Sequence, residues 1–312
     1  MNNKEKTFVS AVVYTHNVES EITDFMKFLA GFLTANFENS EILCVNDSSE
    51  DSTAQVIKNV ADGISGTTIT LINLSHFHGV EMAMNAGLDF SIGDFVFEFD
   101  SIQRDYDESV IMDLYLRALS GYDIVSAVPN KKQRFSSRLF YALLEKLSAS
   151  AWKIETESFR ILSRRVINRI KSMSKTTPYR KVAYASSGLK ADSIKYEVMQ
   201  TWGHTLSREE KRYRVSLGID TLIMFTNFGY KFSISMTAAM IFVTLFMLAY
   251  SITVYAMGIA IEGWTTTILF LSIAFLGLFG ILTVIIKYLQ LLVDLVFKRK
   301  QYSFESIEKL TN

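Results

Sequence analysis

The chain has a single cysteine, Cys44, among its 312 residues. One cysteine excludes an intrachain disulfide and fits a reducing compartment. The chain also lacks net charge, because 32 basic side chains balance 32 acidic ones, so no overall field attracts nucleic acid. It has no internal repeat and no phosphate loop of the form G-x-x-x-x-G-K-[ST]. These absences predict a protein of a reducing compartment without nucleic acid as a partner.

Charged residues are missing from two long stretches near the C-terminus. None occurs at 232–261 or at 263–286, and Glu262 alone separates the two stretches. Each stretch is longer than the roughly 20 apolar residues that span a bilayer. A pair of buried helices in a soluble core is the alternative, but soluble helices of this length almost always carry a charged face. We therefore expect a transmembrane helical hairpin.

Basic side chains on both flanks orient this hairpin. Four of them occur at 211–231 and three more at 298–300, whereas the connecting loop has one acid and no base. By the positive-inside rule, both ends of the hairpin face the cytoplasm. The N-terminal stretch MNNKEKTFVS lacks the apolar core of a signal peptide, so we expect residues 1–230 to stay cytoplasmic. The predicted location is the cell membrane, with the N-terminal domain and the C-terminus in the cytoplasm.

Short apolar runs alternate with helix-like segments in the first 130 residues. Such runs, separated by helices, predict an α/β fold with a mostly parallel sheet covered on both faces. Ligands of these sheets lie beyond the carboxyl ends of the strands, which points to the polar loops at 14–17, 46–49 and 100–105. The runs are FVSAVVYTH (8–16), SEILCVND (40–47), TTITLINL (67–74), DFVFEFD (94–100) and YDIVSAV (122–128).

The segment at 206–231 opens with a capping box, Ser207 and Glu210. Basic residues cluster in its first turns and apolar residues follow. It is either an interfacial helix on the anionic cytoplasmic leaflet or a helix packed on the α/β domain. The predicted division of the chain is an α/β domain at 1–205, an amphipathic helix at 206–231, the hairpin at 232–297 (helices near 233–257 and 264–286, the second continuing to about 297) and a cytoplasmic tail at 298–312.

Four motifs, in this order, resemble those of family 2 glycosyltransferases. A C-terminal hairpin followed by RKQYSFESI (299–307) is also similar to the branch that acts on bactoprenyl and dolichyl phosphates. The motifs are SAVVYTHNVESEI (10–22) for the first strand and loop, CVNDSSEDST (44–53) for V-D-D-G-S-x-D-x-T, GVEMAMNAGLDFSIGDFVFEFD (79–100) for the segment that ends at the first acid of D-x-D, and SFRILSRRVINRI (158–170) for D-F-R-L-x-S-R-R-V.

The resemblance implies a GT-A fold, Rossmann-like with a mostly parallel sheet, plus two C-terminal transmembrane α-helices. It implies a nucleotide-diphosphate sugar as donor, a UDP-sugar by family analogy, with Mg²⁺ or Mn²⁺ as cofactor. The implied acceptor is polyprenyl phosphate, so the product would feed cell-envelope or surface-polysaccharide glycosylation. The resemblance is also compatible with a homo-oligomer.

Position by position, the motifs and strand-end loops nominate three groups of site residues. The donor-binding candidates are Tyr14, His16, Asn17, Glu19 and Asp47. The catalytic candidates are Asp100, Arg104 and Asp105, with Asp100 also the metal ligand. The acceptor-phosphate candidates are Lys131, Arg134, Arg138 and Arg160.

Several residues depart from the family pattern. Losing one of two carboxylates should weaken a site for a hard cation considerably. One hypothesis is that Arg104, together with Lys131, partly replaces the metal, because a guanidinium pairs well with phosphate; the alternative is that Arg104 points to solvent. The departures are Tyr14 for proline, Asn46 and Ser48 for the first aspartate and the glycine of D-D-G-S, Ile102 for the second acid of D-x-D, Arg104 for a glutamine, and Ser158 for the acid of D-F-R.

A lipid monophosphate is already an anion at neutral pH, so the acceptor needs no general base. The basic run NKKQRFSSR (130–138) could bind this phosphate or could be an ordinary solvated surface. His76 and His78 could share a metal, but two histidines without a third ligand are more often loop residues. Besides the transferase, a degenerate homologue that acts as a binding or scaffolding partner is an alternative. A processive polysaccharide synthase is disfavoured, because the chain lacks Q-x-x-R-W.

Overall fold

The computed structural model describes residues 4–131, 157–173, 179–199 and 304–311, together with separate helical positions between 235 and 292. Within these residues, eight strands form one sheet in the order β7-β5-β6-β4-β1-β2-β3-β8. The strands are β1 (Val9–Thr15), β2 (Ser40–Asn46), β3 (Thr68–Leu74), β4 (Phe95–Phe99), β5 (Ile124–Pro129), β6 (Phe159–Ser163), β7 (Ala191–Tyr196) and β8 (Phe304–Lys309).

The five strands predicted from apolar runs are confirmed as β1 to β5. β1 lies between β2 and β4 and is parallel to both, with Val13 opposite Cys44 on one side and Phe99 on the other. β2 is in turn parallel to β3. The carboxyl ends of β1, β2 and β4 therefore lie at one edge of the sheet, where the three polar loops meet.

Helices cover both faces of the sheet, which explains why its central strands are apolar throughout. Val9, Ala11 and Val13 of β1 pack into the core on one face, and Val12 packs into a second core on the other. The described helices are α1 (Ile22–Asn36), α2 (Thr53–Ala61), α3 (Val80–Phe90), α4 (Glu108–Leu119), α5 (Arg164–Met173) and α6 (Arg180–Ser186). The first core contains residues of α1, α2 and α4, and the second contains residues of α3, α5 and α6.

Two strands run against the others, and the apolar pattern predicted neither. β6 is antiparallel to its neighbours β4 and β5. β8 is antiparallel to β3 and comes from the segment that was predicted only as a cytoplasmic tail. Lys58 of α2 forms an ion pair with Glu308 at 2.7 Å, and the ring of Phe304 lies edge-on to Phe90 of α3. The end of the chain is therefore part of the sheet.

The chain divides into two compact units, one built on the sheet and one that contains the helical positions between 235 and 292. The predicted amphipathic helix at 206–231 lies outside the described residues, as does most of the predicted hairpin. Among the positions that the structure does describe, no helix combines the length and the apolar character that crossing a bilayer requires.

Within the second unit, Gly277 lies against Met240. A Cβ atom on Gly277 would stand 2.5 Å from the Sδ atom of Met240, so only a glycine fits at this helix contact without displacement. Seven large apolar side chains at alternating spacings of four and three residues are 41 to 55% exposed: Leu271, Phe275, Leu278, Leu282, Ile285, Leu289 and Leu292. Their spacing is that of one face at helical periodicity, and we call this set the apolar stripe.

Candidate active site

The candidate site lies where the loops after β1, β2 and β4 meet at the carboxyl edge of the sheet. The central residue of the β2 loop is Asp47, which is fully buried. Its carboxylate accepts hydrogen bonds from the backbone N–H groups of His78 and Gly79, each at 2.8 Å, and from the Tyr14 hydroxyl at 3.2 Å. Burial raises the pKa of Asp47 above its ordinary value, although the two N–H donors oppose this shift. Asp47 thereby fixes the β3–α3 loop against the end of β1.

The predicted donor residue His16 is also part of this arrangement. Its Nδ1 atom lies 2.8 Å from the Asp47 carbonyl oxygen, and its ring packs against Phe77 at 4.8 Å. His76 and His78 stack on each other at 3.9 Å. His16 and His78 thus lie beside Asp47 and His76 lies on His78, a grouping that sequence spacing did not indicate for His16.

Asn17 and Glu19 tie the β1 loop to the β2 loop. The Asn17 N–H donates to Ser49 Oγ at 3.0 Å, and its side-chain oxygen accepts from the Glu50 N–H at 2.8 Å. Glu19 accepts from the Ser52 N–H at 2.8 Å. Their predicted role is to hold the donor; in the structure their hydrogen bonds join the two loops.

Asn46, where the resembled motif has aspartate, belongs to a row of side-chain hydrogen bonds across three strands. Its Nδ2 donates to Asn73 Oδ1 at 2.9 Å, and Asn73 Nδ2 donates to Ser306 Oγ at 2.8 Å. Ser49 Oγ donates to Asn46 Oδ1 at 2.5 Å. An amide both donates and accepts, which lets Asn46 join β3 to the β2 loop. We call this row Ser49–Asn46–Asn73–Ser306 the amide row.

Asp100 follows β4 and is held by two arginines. Arg160 Nη2 donates to Asp100 Oδ2 and Arg180 Nη2 donates to Asp100 Oδ1, both at 2.6 Å. Burial alone would raise the pKa of Asp100, but the two guanidinium groups outweigh it and hold this pKa well below its ordinary value. In the part of the chain that the structure describes, both oxygens of Asp100 are thus engaged by guanidinium groups.

The same arginines neutralise further buried carboxylates. Glu98, fully buried within β4, accepts from Arg160 at 2.6 Å and from Arg180 at 2.5 Å, and Glu81 accepts from Arg180 at 2.9 Å. Arg160 also lies 3.2 Å from Glu157. Arg160 was predicted to bind the acceptor phosphate, but its side chain is only 1% exposed and its partners are protein carboxylates. Glu98 is the one charged residue in the apolar run FVFEF. A buried charge needs a partner of opposite charge, so this residue was the sequence signal for a buried basic side chain beside β4.

Arg104 is exposed and lies against Phe28. Its guanidinium stacks over the ring of Phe28 at 3.8 Å, and its Nε donates to the Tyr106 carbonyl at 3.4 Å. Ile102, at the place of the second acid, is 7% exposed and belongs to the core that includes Phe159. The cations beside Asp100 come from Arg160 and Arg180 instead.

Asp105 and Ser158 share a partner that the sequence did not indicate. The Tyr196 hydroxyl donates to Asp105 Oδ1 at 2.7 Å and lies 2.5 Å from Ser158 Oγ. Burial raises the pKa of Tyr196, and the neighbouring Asp105 raises it further, so this hydroxyl stays protonated. Of the remaining acceptor candidates, Lys131 is exposed, and Arg134 and Arg138 lie outside the described residues.

The residues present do not fit a divalent metal well. Asp100 is saturated by guanidinium groups, Ile102 offers no oxygen, and no group of three or more histidine, cysteine or acidic side chains within the described ranges could hold an ion. The predicted Mg²⁺ or Mn²⁺ site at Asp100 is therefore not supported by the donor set.

Comparisons with known proteins agree with this picture of the fold. The chain is 30% identical to an uncharacterized glycosyltransferase of Synechocystis over 196 residues, which are 61% of this chain and 60% of the relative. It is 29% identical to a prophage bactoprenol glucosyl transferase homolog of Escherichia coli, over 60% of this chain and 62% of the relative. The chain thus matches less than two thirds of the length of either relative.

Among solved structures, a protein described only as mycobacterial matches with a TM-score of 0.51 and 14% identity, over 71% of this chain and 75% of that one. This likeness concerns the fold alone. The model of the family described as glycosyl transferase family 2 matches residues 10–170, which are 161 of the 312 residues. The chain therefore belongs to glycosyl transferase family 2.

Proposed function

We propose that the chain transfers a hexose from a nucleotide-diphosphate sugar, a UDP-sugar in the first instance, to polyprenyl phosphate at the cytoplasmic face of the membrane. The product would serve cell-envelope or surface-polysaccharide glycosylation. Family membership and the bactoprenol glucosyl transferase homolog among the relatives support this reaction class.

The observation that carries the proposal is the set of loops around Asp47. Hydrogen bonds from Tyr14 of β1 and from the loop after β3 converge on this buried carboxylate and fix the polar rim of the sheet. A nucleotide sugar needs such a rigid, polar cleft at the carboxyl ends of parallel strands. A lipid phosphate needs no general base, so the serine at position 158 is compatible with transfer to it.

The chain path supports the proposed membrane hairpin. β7 and β8 belong to the same sheet, so the chain leaves this sheet after Tyr196 and has returned to it by Phe304. A segment that starts and ends on one side of a bilayer crosses it an even number of times. The apolar stripe between Leu271 and Leu292 is suited to contact lipid.

The test uses the full chain in lipid nanodiscs that contain polyprenyl phosphate, with a panel of radiolabelled UDP- and GDP-sugars. The expected result is a labelled lipid-linked sugar. Asp47→Ala should lower the rate by about 10²-fold, because it releases the loops that position the donor. Asp62→Ala, an exposed acid at the end of α2, is the matched control and should leave the rate unchanged. Whether the chain incorporates into the nanodiscs tests the proposed membrane location.

A second candidate is a homologue that binds a nucleotide sugar or a partner glycosyltransferase without turnover. The observation that favours it is the engagement of both Asp100 oxygens by arginines. Saturable binding of a nucleotide sugar, with no transfer to any lipid phosphate in the panel, would establish this candidate over the first.

A further inference from the structure

Arg180 is the first residue of α6, and its guanidinium lies between three carboxylates. Its Nε lies 2.9 Å from Glu81, its Nη1 lies 2.5 Å from Glu98 and its Nη2 lies 2.6 Å from Asp100. The arginine side chain is 1% exposed, and the carboxylates of Glu81 and Glu98 are also buried. The three acids come from α3, from β4 and from the end of β4, so the fold itself brings them to one point.

Carboxylate oxygens are the ligands that a hard divalent cation prefers, but in the described ranges these three side chains are spaced around a guanidinium and not around a metal ion. Left alone, buried like charges this close would be strongly unfavourable. The planar guanidinium removes this cost by directing an N–H at each acid, a geometry that a lysine ammonium does not reproduce. In this chain the positive charge between the three acids is therefore the guanidinium of Arg180 and not a metal ion.

Arg160 completes the neutralisation of Asp100. It donates to the second oxygen of Asp100 and to the second oxygen of Glu98, and like Arg180 it is 1% exposed. Two guanidinium groups thus bridge the same two acids, Glu98 and Asp100, from two elements. A metal ion at Asp100 would have to displace one of them and leave a buried guanidinium with fewer partners, which is strongly unfavourable.

We propose that Arg180 is a built-in cation of this site, and that Asp100 holds guanidinium groups in place of a divalent metal ion. Asp100 is then a positioning residue within an internal ion network. Removal of Arg180 leaves Glu81, Glu98 and Asp100 without the cation they share, so we expect these acids to draw together around an added divalent ion. This assignment does not rest on the proposed transferase activity, because metal binding is measured without a sugar donor.

The experiment measures Mn²⁺ binding to the full chain by electron paramagnetic resonance and by the shift in Tm. It compares the natural protein, Asp100→Asn, Arg180→Ala and the double variant. The natural protein and Asp100→Asn should bind Mn²⁺ equally. Arg180→Ala should bind Mn²⁺ at least about tenfold more tightly, with a Tm that rises on Mn²⁺ addition. The double variant should lose this gain.

Arg165→Ala is the matched control, because it removes an arginine from Asp123 at an exposed position and should gain no Mn²⁺ binding. Mn²⁺ binding by the natural protein that disappears in Asp100→Asn, with or without added UDP, would overturn the proposal. A folded Arg180→Ala protein without any gain would overturn it too. Should Arg180→Ala not fold, the comparison of the natural protein with Asp100→Asn decides alone.

Discussion

Asn73 on β3 donates a hydrogen bond to Ser306 on β8 at 2.8 Å, across 233 positions of the chain. Its side-chain oxygen accepts from Asn46 at the end of β2. The last strand of the sheet is therefore joined through one amide to the loop that contains Asp47. This connection links the chain beyond the proposed hairpin to the candidate donor pocket.

The amide row predicts energetic coupling between Asn46 and Ser306. Asn46→Ala and Ser306→Ala each leave Asn73 with an unpaired polar group, so their effects on the free energy of unfolding should not add. We expect a coupling energy of about 0.5–1 kcal/mol in a double-mutant cycle, measured by urea unfolding. The control cycle pairs Asn46→Ala with Arg117→Met, whose partner Asp192 lies on β7 at the opposite edge of the sheet. Equal coupling in both cycles would refute the prediction.

We expect the substitution Ser48→Gly to stabilise the protein. Ser48 has a φ of 52°, in the left-handed region where a Cβ costs about 1–2 kcal/mol, and the resembled motif has glycine there. Ser48→Gly should raise the free energy of unfolding by about 0.5–1 kcal/mol, after the greater freedom of glycine in the unfolded chain is subtracted. Thermal unfolding measures the gain. Ser52→Gly, at the residue before α2, is the control and should not stabilise.

Two helical glycines predict opposite effects of the same substitution. A Cβ on Gly87 of α3 would stand 2.3 Å from Val12 and 2.9 Å from Val45, whereas a Cβ on Gly31 of α1 meets nothing within 4 Å. Gly87→Ala should lower the free energy of unfolding by about 1–3 kcal/mol through overpacking. Gly31→Ala should raise it by up to about 1 kcal/mol through helix propensity. Denaturant unfolding of both variants checks the signs, and equal signs would contradict the described packing.

We expect Asp123 to stabilise the folded protein by an amount that depends on pH. Burial alone would raise its pKa, but hydrogen bonds from Arg165 and Ser163 outweigh burial and lower it. A carboxyl with a folded pKa below its unfolded value stabilises the protein above the unfolded pKa, near 3.9, and loses this contribution as the pH falls through the folded pKa. Asp123→Asn should therefore cost about 1–3 kcal/mol near neutral pH and progressively less below about pH 4.

The measurement for Asp123 is urea unfolding of the natural protein and of Asp123→Asn from about pH 7 to about pH 3. Asp113→Asn, an exposed acid on α4, serves as the control and should change the free energy of unfolding little throughout. The prediction is contradicted if the difference in free energy of unfolding between the natural protein and Asp123→Asn grows as the pH falls.

Sequence patterns predicted the core of the fold because each of the five strands is a run of apolar residues, and such a run indicates burial without knowledge of its neighbours. β1, β2 and β4 then had to end at one edge, so the loops with Asn17, Asp47 and Asp100 could be placed together. β6, β7 and β8 were not predicted, and β6 and β8 were missed for different reasons. β6 lies within the motif SFRILS, which was interpreted by its chemistry, and β8 alternates exposed and partly buried residues and follows the long apolar stretches.

By itself, the sequence determined the strand runs, the motif order and the family, because these depend on local periodicity and on residue identity. Only the tertiary structure decided which cation meets Asp100, because Arg180 lies 80 positions away and its neighbours along the chain give no sign of the contact. It also decided that Ile102 packs into the core and that Arg104 stacks on Phe28. Burial forces charges to find partners, and the identity of those partners depends on which elements the fold brings together.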